Sequence, residues 1–505
     1  MPSPRIHSPL SRRNFLKATA ASAASSLYAA REPKRPNVVY VLCDEWRAQA
    51  TGYNGDTNVA TPALDRLAKE SVSFDNAISG CPVCCPARAS IMTGQYPLTN
   101  GVFINDVELK PNAPTLGETF AAAGYQTGYI GKWHLYGSPD GHYGRRLAPV
   151  PADKHFGFHY WKACECTHDY NHSLYYEGND STPHYWPGYD AFAQTDDACR
   201  FMETHARKSD PFFLFLSMGP PHFPYATAPD KFRAMYADRS IVLRPNVPES
   251  KRAEAESILR GYYAHIAALD TCLERLLTKL EQLHLAEDTI VVFNSDHGDM
   301  MLSQGLTTKL YPWDESVRVP FLLRYPRRLG RRGRRIQTSL NTPDIMPTLL
   351  SLAGLKTPAG VEGSDLSPFA RGHVAEDFTR AAFINLPVPI TEARRYGFAA
   401  YRGLRTARYT YVRSIGGPWL LYDNQADPFQ KHNLCGRPSA AKLQTVMEHN
   451  LSALLKERKD DFLPAKEYVR RAHLGHYREV NVKIGHRKSP WGDWESTLTG
   501  ANESV

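Results

Sequence analysis

Asn37-Val38-Val39-Tyr40-Val41-Leu42-Cys43 ends in the two carboxylates Asp44-Glu45. The run is apolar and largely β-branched, without polar alternation, which is the pattern of a strand buried on both faces of a parallel sheet. Three later stretches read the same way: Gln126-Thr127-Gly128-Tyr129-Ile130, Phe212-Phe213-Leu214-Phe215-Leu216-Ser217 and Thr289-Ile290-Val291-Val292-Phe293. Helical patterns lie between them. Residues 61–68 open on a Thr-Pro cap, Pro114 opens a helix that Gly124 closes, and residues 262–283 carry apolar side chains at helical spacing. Strands alternating with helices predict an α/β fold with a large mixed, mostly parallel sheet flanked by helices.

In such sheets functional groups collect beyond the carboxyl ends of the strands. Each strand here runs into charged or imidazole side chains: Asp44-Glu45, then Lys132 and His134, then His222, then Asp296-His297. Beyond about residue 373 the texture changes to short alternating strands, 401–406 and 409–412. This predicts a smaller C-terminal antiparallel α+β subdomain over residues 373–505, with a tail in the last 25 or so residues.

With 505 residues, 42% hydrophobic and 11% aromatic, the chain is an ordinary globular protein able to bury a large core. The net charge is +8, but Arg5, Arg12, Arg13 and Lys17 stand in the first thirty residues without an acid, and removing those four cations takes +8 to +4. That mild balance argues against a nucleic-acid partner and is compatible with an anionic substrate. Ser11-Arg12-Arg13-Asn14-Phe15-Leu16-Lys17 matches the twin-arginine export pattern, followed by a small-residue segment at residues 18–30. The segment is too short and weakly apolar to remain in a membrane, so residues 1–30 read as a bacterial export signal and the mature protein as periplasmic. The nine cysteines are scattered and odd in number, unlike a small-domain disulfide framework.

Cys81-Pro82-Val83-Cys84-Cys85-Pro86-Ala87-Arg88-Ala89-Ser90-Ile91-Met92-Thr93-Gly94 reads as a small-residue loop entering a helix, with Pro86 at its first position. Cys84 then sits at a helix N-terminus, which predicts a lowered thiol pKa, and Arg88 lies one turn further on. Cys81 and Cys84 also have the spacing of a redox pair or of half a zinc site, with Cys164-x-Cys166 as a poor second half.

Cys84-x-Pro86-Ala87-Arg88 with Thr93-Gly94 resembles the signature of the type I sulfatase family, within the alkaline phosphatase-like superfamily. Cys84 alone of the three loop cysteines has proline and arginine at the required offsets. Gly131-Lys132-Trp133-His134, Pro220-Pro221-His222-Phe223-Pro224, Ser295-Asp296-His297-Gly298 and Lys309 before Glu315-Ser316-Val317-Arg318-Val319-Pro320 resemble the family's other motifs, in order. The resemblance covers residues 36–435 or so and implies a sulfatase catalytic domain over residues 31–372, with a C-terminal subdomain that forms part of the substrate rim and makes Arg394, Arg395 and Arg402 candidates for substrate contacts.

That resemblance implies hydrolysis of a sulfate ester. A maturation enzyme would oxidise Cys84 to formylglycine, whose hydrate is the nucleophile. Asp44, Glu45, Cys84, Asp296 and His297 would surround one divalent ion, Ca2+ in the family; Glu45 departs from the usual Asp, and His297 is unusual beside calcium, so another divalent metal is possible. Arg88, Lys132 and Lys309 would neutralise the sulfate, His134 would hydrogen-bond the hydrate, and His222 would protonate the leaving oxygen. Residues 155–190 are rich in aromatics and histidine without a clear period, which predicts a loop that either shapes a site for sugar rings or packs on itself. These features favour a sulfated saccharide as substrate. A phosphate or phosphonate ester hydrolase of the same fold, and a catalytically silent exported carbohydrate-binding protein, are the alternatives.

Overall fold

The protein was analysed as a computed structural model that describes residues 35–138, 145–477 and 480. The export segment at residues 1–30 and the tail beyond residue 480 lie outside the described residues.

The strand Asn37–Asp44 sits inside a sheet of ten strands, between Phe212–Pro221 and Thr289–Ser295, both parallel to it. Val38 pairs with Phe213 on one side and Ile290 on the other. Gln126–Lys132 follows beyond Phe212–Pro221, again parallel. The sheet is mixed because Phe321–Arg324 runs antiparallel to Thr289–Ser295. The expected α/β architecture is therefore present.

All eight residues of Asn37–Asp44 are buried, and the two-residue period of a strand divides them between two cores. Val38, Tyr40 and Leu42 enter one core with Tyr129, Phe213 and Phe215. Rings stack across three strands there, Tyr40 on Phe215 at 4.6 Å and Phe215 on Tyr129 at 5.2 Å between centroids. Val39, Val41 and Cys43 enter the other core, against the helix Arg252–Gln282. Each large apolar side chain so buried contributes about 1.5–3 kcal/mol, enough to explain why a strand without polar residues is stable only at the centre.

The helix Arg252–Gln282 starts ten residues before the expected boundary. Ala255 and Leu259 extend the stripe of Tyr262, Ile266, Leu269 and Leu273 at alternating spacings of four and three, so the buried face continues upstream. Residues 155–190 correct the expected loop. They contain the strands Tyr160–Cys164, Leu174–Glu177 and His184–Tyr185, which form one edge of the sheet. These edge strands are held by cross-strand and stacked rings, Tyr175 on Trp186 at 4.0 Å and His172 on Tyr185 at 4.1 Å, which leave little periodic signal.

The C-terminal sheet runs Ala382–Leu386, Tyr401–Arg405, Tyr409–Ser414 and Gly417–Asp423, antiparallel throughout. Trp313, shortly before the larger sheet's strand Phe321–Arg324, packs against Phe398 and Trp419 of this region. Arg402 is not a rim residue. Its side chain is buried and its guanidinium donates to Asp460, which assigns it to packing.

Candidate active site

Four parallel strands side by side end on one edge of the sheet and deliver the chemistry there. Asp44 closes its strand, Lys132 closes another, His222 follows Pro221 and Asp296 follows Ser295. Gly131, just before Lys132, has φ +105°, and a Cβ on it would lie 2.0 Å from the Ser217 carbonyl oxygen. Only glycine lets the two strands approach that closely and carry Lys132 to the edge.

Cys84 is the first residue of the helix Cys84–Thr93, so Pro86 stands two positions later than expected. Its Sγ lies 3.1 Å from His297 Nε2 and 3.8 Å from Asp44 Oδ1. The expected acidic thiol is corrected. Burial, then Asp44, pushes the Cys84 thiol up to about 12 against the opposing pull of Lys309 and Lys132. All nine cysteines are free thiols, and among the described residues neither Cys81 nor Cys164 and Cys166 joins Cys84 in a cluster of metal-ligand spacing.

Arg88 lies one turn along the helix and is buried. It donates from Nε to Asp296 Oδ2 at 3.0 Å and from Nη2 to Asp44 Oδ2 at 3.0 Å. Its Nη1 donates to Lys132 O at 3.0 Å and Ser217 Oγ at 2.7 Å. Expected as a charge on the ester, Arg88 instead spends its donors on the two carboxylates and the strand ends. Lys132 Nζ donates to the same Asp44 Oδ2 at 2.6 Å. Burial alone would raise the Asp44 carboxyl, but Lys132, His222, Arg88 and His297 hold it well below the usual range. The adjacent Glu45 moves the other way, raised well above its ordinary value by burial against the pull of Lys309.

The donor atoms fit a divalent cation. One oxygen or nitrogen or sulfur each from Asp44, Cys84, Asp296 and His297 lies within 4.8 Å of the others, and Asp44, Glu45 and His222 form an overlapping group. His297 Nδ1 donates to Gly298 O at 3.0 Å, which leaves the Nε2 lone pair facing the cluster. Arg88 and Lys132 occupy Oδ2 of Asp44, leaving Oδ1 on the cluster side. Glu45 Oε1 is buried with no hydrogen-bond partner, an oxygen a cation would satisfy.

Lys309 Nζ reaches Glu45 Oε2 at 3.2 Å and His222 Nε2 at 2.7 Å. Glu45 has φ +66° and His134 has φ +59°; such backbone strain in bulky residues concentrates at functional sites. His134 Nε2 is 3.3 Å from Asp106 Oδ1, and its buried Nδ1 has no partner.

Several contributors escaped the sequence reading. Ser217 holds Arg88, Asp106 holds His134 and Arg146, and the Glu165 carboxylate accepts from the backbone N–H groups of Leu135, Tyr136 and Gly137. His168, inside the aromatic stretch, stacks on His222 at 4.5 Å. None belongs to a local motif; only the aromatic and histidine density around His168 gave a signal.

The pattern of the Sulfatase family matches residues 36–355, and that of the N-sulphoglucosamine sulphohydrolase C-terminal region matches residues 303–457. An ulvan-active sulfatase of Formosa agariphila is 44% identical over 466 residues, 92% of this chain and 88% of that one. An endo-4-O-sulfatase of Bacteroides thetaiotaomicron is 32% identical, over 80% of this chain and 89% of that one. A solved Bacteroides thetaiotaomicron structure, described with metabolism of multiple glycosaminoglycans, is 27% identical, has a TM-score of 0.76, and covers 89% of this chain and 100% of its own.

Proposed function

The chain belongs to the sulfatase family and is a sulfuric ester hydrolase, and from that premise we propose that it removes sulfate from a sulfated carbohydrate with a formylglycine made from Cys84. The observation that carries the reading is the seat of Cys84, its Sγ 3.1 Å from His297 Nε2 and 3.8 Å from Asp44 Oδ1, with Arg88 tying Asp44 to Asp296 behind it. A thiol held near 12 is a poor nucleophile, which favours conversion over direct thiolate attack.

Asp44, Glu45, Asp296 and His297 would hold one divalent ion, Ca2+ by family resemblance, with residue 84 at the same cluster. When bound, such an ion supplies Lewis-acid neutralisation of the ester's charge, and a formylglycine hydrate supplies the attacking oxygen. The remaining work falls to the chain's own side chains. Lys132 and Lys309 place two ammonium groups beside the site, and both are raised by their carboxylate neighbours despite burial, so they stay charged. Arg88 orients Asp44 and Asp296. His134, steadied by Asp106, points a free nitrogen lone pair or N–H toward a hydroxyl of the hydrate. Lys309 and His222 share a proton for the departing alkoxide.

A saccharide substrate is supported by the ulvan-active and endo-4-O-sulfatase relatives, and by the His168 ring stacked on His222 beside the site. Residues 1–30 would export the folded chain to the periplasm after a maturation enzyme has modified Cys84; no helix of the described residues is long and apolar enough to cross a membrane. Residues 31–372 would form the catalytic domain and residues 373–505 its C-terminal subdomain.

Two measurements test this. The tryptic peptide containing Cys84 should be about 18 Da lighter than its sequence mass, whereas thiol oxidation would make it heavier. A panel of sulfated mono- and oligosaccharides, beside matched phosphate esters, should show sulfate release from a sugar. An unmodified Cys84 in fully active protein would reject the nucleophile, and turnover confined to phosphate esters would reject the substrate.

A further inference from the structure

A second cleft of ≈ 290 Å³ opens among the loop after Asp44, the residues around Arg244 and the turn at Met301–Ser303. None of Cys84, Arg88, Lys132, His134, His222 or Lys309 lines it. It is linked to the catalytic edge through Tyr262, whose hydroxyl accepts from Arg47 N at 3.0 Å and donates to Glu45 O at 2.8 Å.

The lining carries three arginines, Arg47, Arg244 and Arg318, against one carboxylate, Asp56. Asp56 is already engaged by the Tyr263 hydroxyl at 2.8 Å and by the Asn58 backbone and amide at 2.8 and 3.0 Å. Arg244 pairs with Glu315 at 2.9 Å and lies over the Phe429 ring, and Arg318 pairs with Asp314 at 3.3 Å. Arg47 differs. It is 2% exposed, its one side-chain bond is a 3.5 Å contact with Met300 O, and its Nε has no partner. Among the described residues no carboxylate pairs with it. Beside it Gln49, 8% exposed, has neither its Nε2 nor its Oε1 satisfied, and the buried Ser303 hydroxyl is also unpartnered.

Leaving a buried guanidinium and a buried amide unsatisfied is costly, because each has lost water without gaining a partner. The missing partners have a definite chemistry. A guanidinium with an open Nε–H calls for an oxyanion, and an amide with both ends open calls for a group that donates and accepts, as a sugar hydroxyl does.

We propose that this cleft binds an anionic sugar unit, with its carboxylate or sulfate on Arg47 and a hydroxyl on Gln49. The choice of a sugar rests on the carbohydrate reading above; the cleft itself does not depend on catalysis. The enzyme then holds its polyanionic chain at two places, one for cleavage and one for retention.

Calorimetric titration of the whole protein with glucuronate, glucose and inorganic sulfate tests this. Glucuronate should bind saturably, and glucose at least about tenfold more weakly. Gln49→Glu, which sets a competing carboxylate beside Arg47 and repels the ligand's own anion, should weaken glucuronate by about tenfold or more. Val242→Trp should do the same by filling the mouth, since Val242 is 69% exposed and its substitution leaves the core untouched; an unchanged unfolding midpoint checks its fold. Equal glucuronate binding by wild type and both variants places the ligand elsewhere and overturns the proposal. Absence of saturation up to roughly 50 mM means the cleft holds only water. Sulfate binding that Gln49→Glu and Val242→Trp both weaken, without glucuronate binding, would make it a free-anion site and overturn the sugar assignment. Glucuronate has no ester to cleave, so failure here leaves the hydrolase reading intact, and loss of hydrolase activity leaves this binding intact.

Discussion

Lys309 Nζ lies 2.7 Å from His222 Nε2, and Glu45 Oε2 stands 3.2 Å from that ammonium and 3.0 Å from that ring nitrogen. The other ring nitrogen, Nδ1, donates to Phe223 O at 2.9 Å, so His222 is held with its proton on Nδ1 and accepts the lysine's at Nε2. Burial, then Lys309, keeps this imidazole well below its ordinary range. On the proposed mechanism, the proton for a leaving oxygen would therefore start on Lys309, with His222 as its hydrogen-bond partner.

Lys309→Met should lower kcat on a sulfated sugar by roughly 10²–10⁴-fold, the usual worth of a positioned proton donor. An aryl sulfate with an acidic phenol leaves without a proton and should lose far less. Equal losses on both substrates would show that Lys309 acts only as a charge on the sulfate.

Arg88→Ala strips the buried partner from Asp44 and Asp296 together. Leaving such charges unpaired is expected to cost about 3–5 kcal/mol of stability, read from denaturant midpoints, along with most activity. A loss below about 1 kcal/mol would mean that water or a metal ion replaces the guanidinium at no cost.

Asp106→Asn tests the support under His134. Burial would raise this carboxyl, but hydrogen bonds from His134 and Arg146 hold it at about 2. A lowered folded pKa contributes stability that is complete above the unfolded value of about 3.9 and is lost as pH falls toward 2. The variant should be less stable by about 2 kcal/mol at pH 7, with the gap closing between pH 4 and 2. A pH-independent gap would point to lost packing instead of a lost charge.

Chelator treatment followed by dialysis should abolish turnover and lower the unfolding midpoint, and Ca2+ should restore both. An ion present at 100 times its Kd adds about 2.7 kcal/mol. Asp44→Asn should lose the rescue. Full activity and an unchanged midpoint after chelation would dismiss the cluster of Asp44, Asp296 and His297 as a metal site.

Strand-end placement was legible because it follows from local pattern: an uninterrupted apolar run is a central strand, and whatever follows it lies on the sheet's edge. That logic located Asp44, Lys132, His222 and Asp296. It failed at residues 155–190, where edge strands are stabilised by ring pairs from the opposite strand, and those pairs have no signature within either segment. It failed again for Arg402, since a rim arginine and one buried on Asp460 have the same one-letter context.

What the chain's order of residues settled alone was the α/β class, the edge where the chemistry collects and the motif set that marks the family, all carried by short-range spacing. Three matters waited for the tertiary structure: that the Cys84 thiol is raised, that Arg88 clamps two carboxylates, and that Lys309 donates a hydrogen bond to His222. Each depends on burial and on the distance between charges tens to hundreds of residues apart. Desolvation and Coulomb energies are set by position in space, which local sequence does not encode.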